Sequence, residues 1–470
     1  MTAASDGRVP LLVPILAGAA FGAASVGLPL GDNDVFWHLA TARESLAHGL
    51  VRVDVFSWTI AGQPVATDQW LGQLSWYAAY LAGGWSGILA FRALAVALLA
   101  GTVVWTALRE RPQAPLVAVL AALPALALSR IVSVERPELL GLLCFALLVP
   151  LLRSAHRGNV RAQAALPVLI LIWAQLHGSF ALGVGLVILA ALAGLLRDGP
   201  ARRRGHLRLA AAAVLVTLLT PAGIGVWIAP GTHLLHPPRS IQEWAVPDVT
   251  SLPGLVFAAV IVLTFATAAL APTRGRGFAV LLLPVLLLSL TAVRQTPFFA
   301  IAAAPFLARH GPEALSTLWR SWSTRRPVAR GRTPGPWADA AALLAGLLLL
   351  GAAVAVGPRS PDLTRYPTAA LPFLIAGPGL LNDYDWGGYL IWSAPATPVF
   401  IDGRLVPYVP AVLDDYVLVV GAGAGWRDRV TQRGIRQLLV RADAPVAVRA
   451  RELGWPVRVL NDTAVLISVP

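Results

Sequence analysis

The segment Gly31-Asp32-Asn33-Asp34-Val35-Phe36-Trp37-His38 sets two carboxylates and an imidazole directly after an apolar run, about Leu11 to Leu30, that is long enough to span a bilayer. Carboxylates at such an exit are close to lipid and still wet. They suit chemistry on a lipid-linked substrate whose polar head lies at the interface. The plainer reading makes Asp32 and Asp34 solvated loop residues, or the cap of a helix starting near Val35. Further polar residues recur at the ends of later apolar runs: Glu135-Arg136-Pro137, Trp173-Ala174-Gln175-Leu176-His177-Gly178, Thr220-Pro221-Ala222-Gly223, Ile241-Gln242-Glu243-Trp244 and Arg294-Gln295, with Asp68 in the first loop. Each has a plainer reading too. His177 before a glycine suits a helix-end histidine bonding a carbonyl. Arg294 suits an interfacial arginine with its head in water. Arg92, inside a run, suits a buried pair with an acid. Glu135 and Arg136 could pair with each other. His233 and His236 are spaced to share a metal, but no third ligand is evident, so loop polarity is the simpler account. The signal lies in the ensemble, because ionisable groups at a membrane edge are costly and mark functional candidates.

The elements that must position these residues follow from composition. The chain has 470 residues, 57% of them hydrophobic and 13% charged, where a soluble protein carries about 25% charged residues. It reads as an α-helical polytopic membrane protein. Runs of spanning length lie at roughly 11–30, 86–108, 115–132, 138–152, 164–180, 181–196, 208–222, 254–271, 277–293, 296–309 and 337–357, about eleven spans. With the N-terminus in the cytoplasm, the cytoplasmic segments hold nineteen arginines against five acids, and the outer loops before the tail hold six against nine. This is the positive-inside pattern. It accounts for the net charge of +13 without nucleic acid as a partner. There is no lysine, and the single cysteine, Cys144, reads as a small core residue.

Residues 1–357 thus form the membrane part. Within them, 31–85 is a long first outer loop with two helices, one striped by Phe36, Leu39, Ala40, Ala42 and Leu46, the other running from Asp68 to about Tyr80. Their aromatics suit the headgroup level. Residues 358–470 read as an extracytoplasmic α/β domain. Its strand patterns are 398–401, 437–440, 457–460 and 464–467, with a helix from Val446 to Leu453. Gly421-Ala422-Gly423-Ala424-Gly425 fails the dinucleotide fingerprint, because Trp426 stands in the sixth position, and reads as a flexible loop.

The outer cluster suits glycosyl transfer from a polyprenyl-phosphate sugar. A cation holds the phosphate by charge-assisted hydrogen bonds, and a carboxylate takes a proton from the acceptor hydroxyl as it attacks the anomeric carbon. Direct displacement of that kind inverts the sugar. On the acidic loop Gly31–Ala40, Asp68-Gln-Trp-Leu71, Glu135-Arg-Pro137, Trp173–Gly178, Glu243-Trp244, Arg294 with Pro297-Phe-Phe299, and the tail segments Asn382–Tyr389 and Phe400–Arg404, the chain resembles the GT-C superfamily of multi-span glycosyltransferases, in the bacterial branch of mannosyltransferase and RgtA/B/C/D-like proteins. The resemblance implies a catalytic Asp in the first loop, by position Asp34 and then Asp32. Relatives often carry Asp-Glu where this chain has Asp34-Val35. Substrate-binding candidates are His38, Asp68, Arg92, Arg136, His177, Glu243 and Arg294. No cofactor is required by the pattern, and a divalent cation, Mg or Mn, is compatible with it. The partners expected are a polyprenyl-phosphate-linked sugar donor and membrane lipid, in a multi-pass cell-membrane protein. Two other readings are a non-catalytic GT-C relative that binds lipid or glycan, and a lipid or glycan transporter, for which internal repeat symmetry is lacking.

Overall fold

Apolar runs joined by short polar connections fold as helices, since in lipid each backbone amide must be bonded within its own segment. The computed structural model describes residues 9–235, 242–270, 276–319 and 335–470; His236 and Ile241 lie outside them. The helices are α1 (Leu12–Ser25), α2 (Val35–His48), α3 (Trp70–Glu110), α4 (Pro115–Ser129), α5 (Pro137–His156), α6 (Val160–Leu176), α7 (Phe180–Arg197), α8 (Pro200–Leu215) and α9 (Ile228–Leu235). They continue with α10 (Leu252–Leu270), α11 (Arg276–Ser289), α12 (Thr296–Trp319), α13 (Pro336–Val356), α14 (Gly387–Ser393), α15 (Ala411–Val420), α16 (Trp426–Arg433) and α17 (Pro445–Glu452). The chain divides into two compact units: residues up to Leu28 with Ser86–Pro358, and Pro29–Trp85 with Arg359–Pro470. The first outer loop, placed by sequence with the membrane part, therefore packs with the tail. The division falls in α3, whose helix is interrupted at Gly83 and Gly84. Gly84 has φ 58°, a left-handed conformation that side chains disfavour.

In the first unit, every expected apolar run holds a helix. Six helices of the described residues are long and apolar enough to cross a membrane: Trp70–Glu110, Pro115–Val132, α5, α7, α10 and α13. The run expected at 208–222 is not one straight span. Arg202–Leu219 and Gly223–Leu235 form a pair bent by 108°, broken around Pro221, whose ring removes a backbone donor. The run expected from 11 to 30 yields only the fourteen residues of α1, about 21 Å of helix. Its two ends are satisfied by other spans. Asp339 Oδ1 accepts the Leu11 and Leu12 N–H groups, each at 2.9 Å. Arg92 donates to the Ser25 and Leu28 carbonyls, each at 3.0 Å, and pairs with Glu135, both side chains fully buried. An acid at the N-terminus and a cation at the C-terminus oppose the helix dipole.

In the second unit, β1 (Leu380–Asn382), β2 (Gln437–Arg441), β3 (Val457–Leu460) and β4 (Ala464–Ser468) form a sheet of order β1-β2-β4-β3. β1 runs parallel to β2, while β4 pairs antiparallel with β2 and β3. Three of the four expected strands are present. The fourth, 398–401, stays out of this sheet. Val399 instead bridges Ser57 in parallel, with Val399 N–H donating to Phe56 O at 3.0 Å and Trp58 N–H to Val399 O at 3.1 Å. Gly421–Gly425 is a hydrogen-bonded turn joining α15 to α16 rather than a flexible loop. Of the first-loop aromatics, Phe36, Trp37 and Trp76 are buried while Trp70, Tyr77 and Tyr80 are part-exposed. Phe36 meets Tyr366 and Tyr389 edge-on, both at 5.3 Å.

Candidate active site

α2 begins at Val35, as the sequence suggests, and Asp34 stands at its N-cap position. Yet the Asp34 side chain makes no capping hydrogen bond, so a cap is not its role. The loop is fixed by other groups. Asp32 Oδ1 accepts the Asp34 N–H at 3.0 Å. Arg365 donates to the Gly31 carbonyl at 2.9 Å, and the Tyr366 hydroxyl lies 3.0 Å from that carbonyl and 2.9 Å from Asn33 Oδ1. Asp32 and Asp34 remain half-buried, while Val35 is fully buried. The tail motif Asp402-Gly403-Arg404 closes in on the same carboxylate. A Cβ at Gly403 would stand 2.0 Å from Asp34 Oδ1 and 3.2 Å from Trp37 Nε1, so only glycine fits there without moving Asp34.

Arg404 fixes that turn. Its Nε and Nη2 donate to the two Asp402 oxygens at 2.8 and 2.6 Å, and its Nη1 pairs with Asp54 Oδ1 at 2.5 Å. Asp54 Oδ2 in turn accepts from the Ser57 N–H and hydroxyl at 2.9 and 2.7 Å. Asp402-Gly403-Arg404 is thus a turn closed by an ion pair, and the pair also ties tail to first loop through Asp54, which sequence reasoning passed over. A lone acid in a polar loop carries no local sign of a partner some 350 residues away.

His38, expected to meet substrate, is 2% exposed. Its Nδ1 lies 3.4 Å from Gln73 Nε2, which makes it a contact between α2 and α3. Asp68 is also buried, and its Oδ2 has no hydrogen-bond partner among the described residues. Burial raises this carboxyl from 3.8 to about 6. The folded chain thus holds the proton more tightly than the unfolded chain. Ionising Asp68 costs stability above its raised pKa, and that cost vanishes as pH falls through about 6 toward 3.8. The shift corresponds to about 3 kcal/mol. Asp68→Asn is therefore expected to raise the melting temperature at neutral pH and to flatten the wild-type gain on acidification. A lower melting temperature for this variant at neutral pH contradicts the assignment.

The remaining candidates lie in the first unit. Arg294 grips Glu138 with Nε and Nη2 at 3.0 and 2.5 Å and reaches Glu243 with Nη1 at 2.7 Å. Arg136 Nη1 pairs with the other Glu243 oxygen at 3.0 Å. The Arg294 guanidinium lies 4.8 Å over the Trp244 ring, on which His233 stacks at 4.6 Å. Arg294 is therefore held in a four-residue network instead of snorkelling. His177 accepts the Ser179 N–H at Nδ1, 3.1 Å away, rather than bonding a carbonyl. The structure brings Arg136, Glu243 and Arg294 together and adds Glu138. An acid at the first turn of an otherwise apolar span was the available signal for Glu138. Arg92 stands apart: its guanidinium serves Glu135 and the end of α1, and its complete burial removes it from the substrate-binding candidates. Glu135 and Arg136 do not pair with each other as sequence neighbours could.

No protein-family model and no curated protein sequence matches the chain. Solved structures do. The apo oligosaccharyltransferase of Archaeoglobus fulgidus matches with a TM-score of 0.55 at 12% identity, over 92% of this chain and 70% of that one. Oligosaccharyltransferase AglB from Archaeoglobus fulgidus, in complex with an inhibitory peptide and a dolichol-phosphate, matches with a TM-score of 0.56 at 12% identity, over 92% and 69%. ArnT from Cupriavidus metallidurans in the apo state matches with a TM-score of 0.51 at 17% identity, over 96% of each chain. With its apolar helices and small C-terminal sheet, the chain is a multi-pass membrane protein with a GT-C-like fold.

Proposed function

We propose that this chain is a membrane glycosyltransferase that moves a sugar from a polyprenyl-phosphate donor to a hydroxyl of an extracytoplasmic acceptor. The observation that carries the reading is Asp34: a half-buried carboxylate at a helix start that caps nothing, with the Gly403 backbone set against it. Asp34 accepts the acceptor's hydroxyl proton as that oxygen bonds to the anomeric carbon. The bond from that carbon to the phosphate oxygen breaks, the phosphate keeps the electron pair, and the sugar inverts. In the first unit, Arg136 and Arg294 are guanidinium groups of the kind that hold a lipid phosphate. The solved AglB complex contains a dolichol-phosphate, which supports a lipid-phosphate donor here. The arginine distribution supports an N-terminus in the cytoplasm and a second unit on the outer side.

A deletion strain compared with its parent by mass spectrometry of envelope glycans tests this. One sugar is expected to disappear, to return with the wild-type gene, and to stay missing with Asp34→Asn. Identical glycans in deletion and parent contradict the proposal, and rescue by Asp34→Asn removes the base.

A further inference from the structure

We propose that the second unit carries a saccharide subsite for the acceptor, in a cleft lined by Trp37, Thr41, Ser45, Thr67, Trp70 and Gln73. The inference rests on Asp34 as the base and adds the chemical class of what it deprotonates. Its starting point is a pair of orphaned donors. Trp37 is 7% exposed, and its indole N–H has no acceptor among the described residues; the same holds for the Trp70 indole N–H. Buried donors left unpaired are costly and call for an oxygen from elsewhere. Trp37 Nε1 is also the atom that, with Asp34 Oδ1, flanks the Gly403 backbone. The cleft thus shares Trp37 with the surroundings of the carboxylate.

The rest of the lining selects the ligand. Thr41 donates its hydroxyl proton to Trp37 O at 2.8 Å, which leaves its lone pairs to accept. Gln73 offers both an amide N–H and a carbonyl. Hydroxyl groups, which donate and accept, match such a mixture. Arg404 also lines the cleft, but Asp402 and Asp54 already neutralise it, so an anionic ligand gains little. The free volume is about 40 Å³, enough for the hydroxyl edge of a sugar and too small for a whole ring.

Saturation-transfer NMR on the full chain in detergent micelles tests the site. The probes are the methyl glycosides of mannose, galactose, glucose and arabinose, with a capped Ala-Ser-Ala peptide as the protein-acceptor counterpart. At least one glycoside is expected to bind, roughly ten-fold more weakly in Trp37→Phe, which lacks the N–H, and in Ser45→Phe, which fills the cleft. Ser45 is half-exposed, so its variant keeps the test open should Trp37→Phe fold poorly. Absence of glycoside binding, equal binding by both variants, or binding of the peptide alone overturns the proposal. Asp34→Asn measured alongside separates the two ideas. Normal glycoside binding without transfer supports both, whereas normal binding with full transfer removes the base and leaves the saccharide site standing.

Discussion

Asp34→Asn is expected to slow sugar transfer by roughly two to four orders of magnitude while the protein folds as before. The amide keeps the shape of the carboxylate and loses its basicity. Because the Asp34 side chain makes no capping bond, the exchange removes no helix cap, and the amide, equal in shape, is expected to keep the chain folded. Asp32→Asn is expected to be far milder, since an amide Oδ1 can still accept the Asp34 N–H that Asp32 now holds at 3.0 Å. Gly403→Ala approaches the same carboxylate from the tail. Its new methyl would stand 2.0 Å from Asp34 Oδ1, so the carboxylate has to move. Displacement by about 1 Å can cost on the order of a hundred-fold in rate. Purified variants in a transfer assay with a polyprenyl-phosphate sugar, each with a melting curve, check all three. Full activity in Asp34→Asn sinks the base assignment. Lost activity together with a collapsed melting curve would instead make Asp34 a structural residue.

What could be seen in the sequence was what depends on local pattern. Long apolar runs became helices, the chain left the first of them at an acidic loop, and α2 started at Val35. Short runs rich in Val, Ile and Leu at 437–440, 457–460 and 464–467 became strands. Pairings across the chain were out of reach. The run at 398–401 is as apolar as its neighbours, and nothing local states that its partner is Ser57 and not β2. Nothing local to Phe36 states that its neighbours are Tyr366 and Tyr389, some 330 and more residues away. Glu135 and Arg136 show how adjacency misleads. Arg136 is extended, with φ −125° and ψ 152°, and successive side chains on an extended backbone point in opposite directions. One therefore turns to Arg92 and the other to Glu243. Val35, where relatives of the family resembled often carry Glu, is fully buried. A carboxylate there would need a buried partner.

Arg92→Met is expected to destabilise the first unit by about 3–5 kcal/mol, and the double variant Arg92→Met/Glu135→Leu to recover most of that loss. Both partners are fully buried, so removing one leaves an uncompensated charge in an apolar interior. Removing both replaces a pair whose desolvation largely cancels its attraction. Recovery should stop short of wild type. The guanidinium also holds the Ser25 and Leu28 carbonyls at the end of α1, and a methionine leaves those acceptors to find partners where water is scarce. A residual deficit of about 1–3 kcal/mol is the expected mark of those carbonyls. Thermal melting of the single and double variants in detergent reads this directly, and a transfer assay separates it from substrate binding. A substrate-binding Arg92 gives the opposite pattern: normal melting for Arg92→Met, a raised KM, and no rescue by Glu135→Leu. The distinction matters for the short α1. With Asp339 at one end and Arg92 at the other, a fourteen-residue helix keeps its place among longer spans through its capped ends.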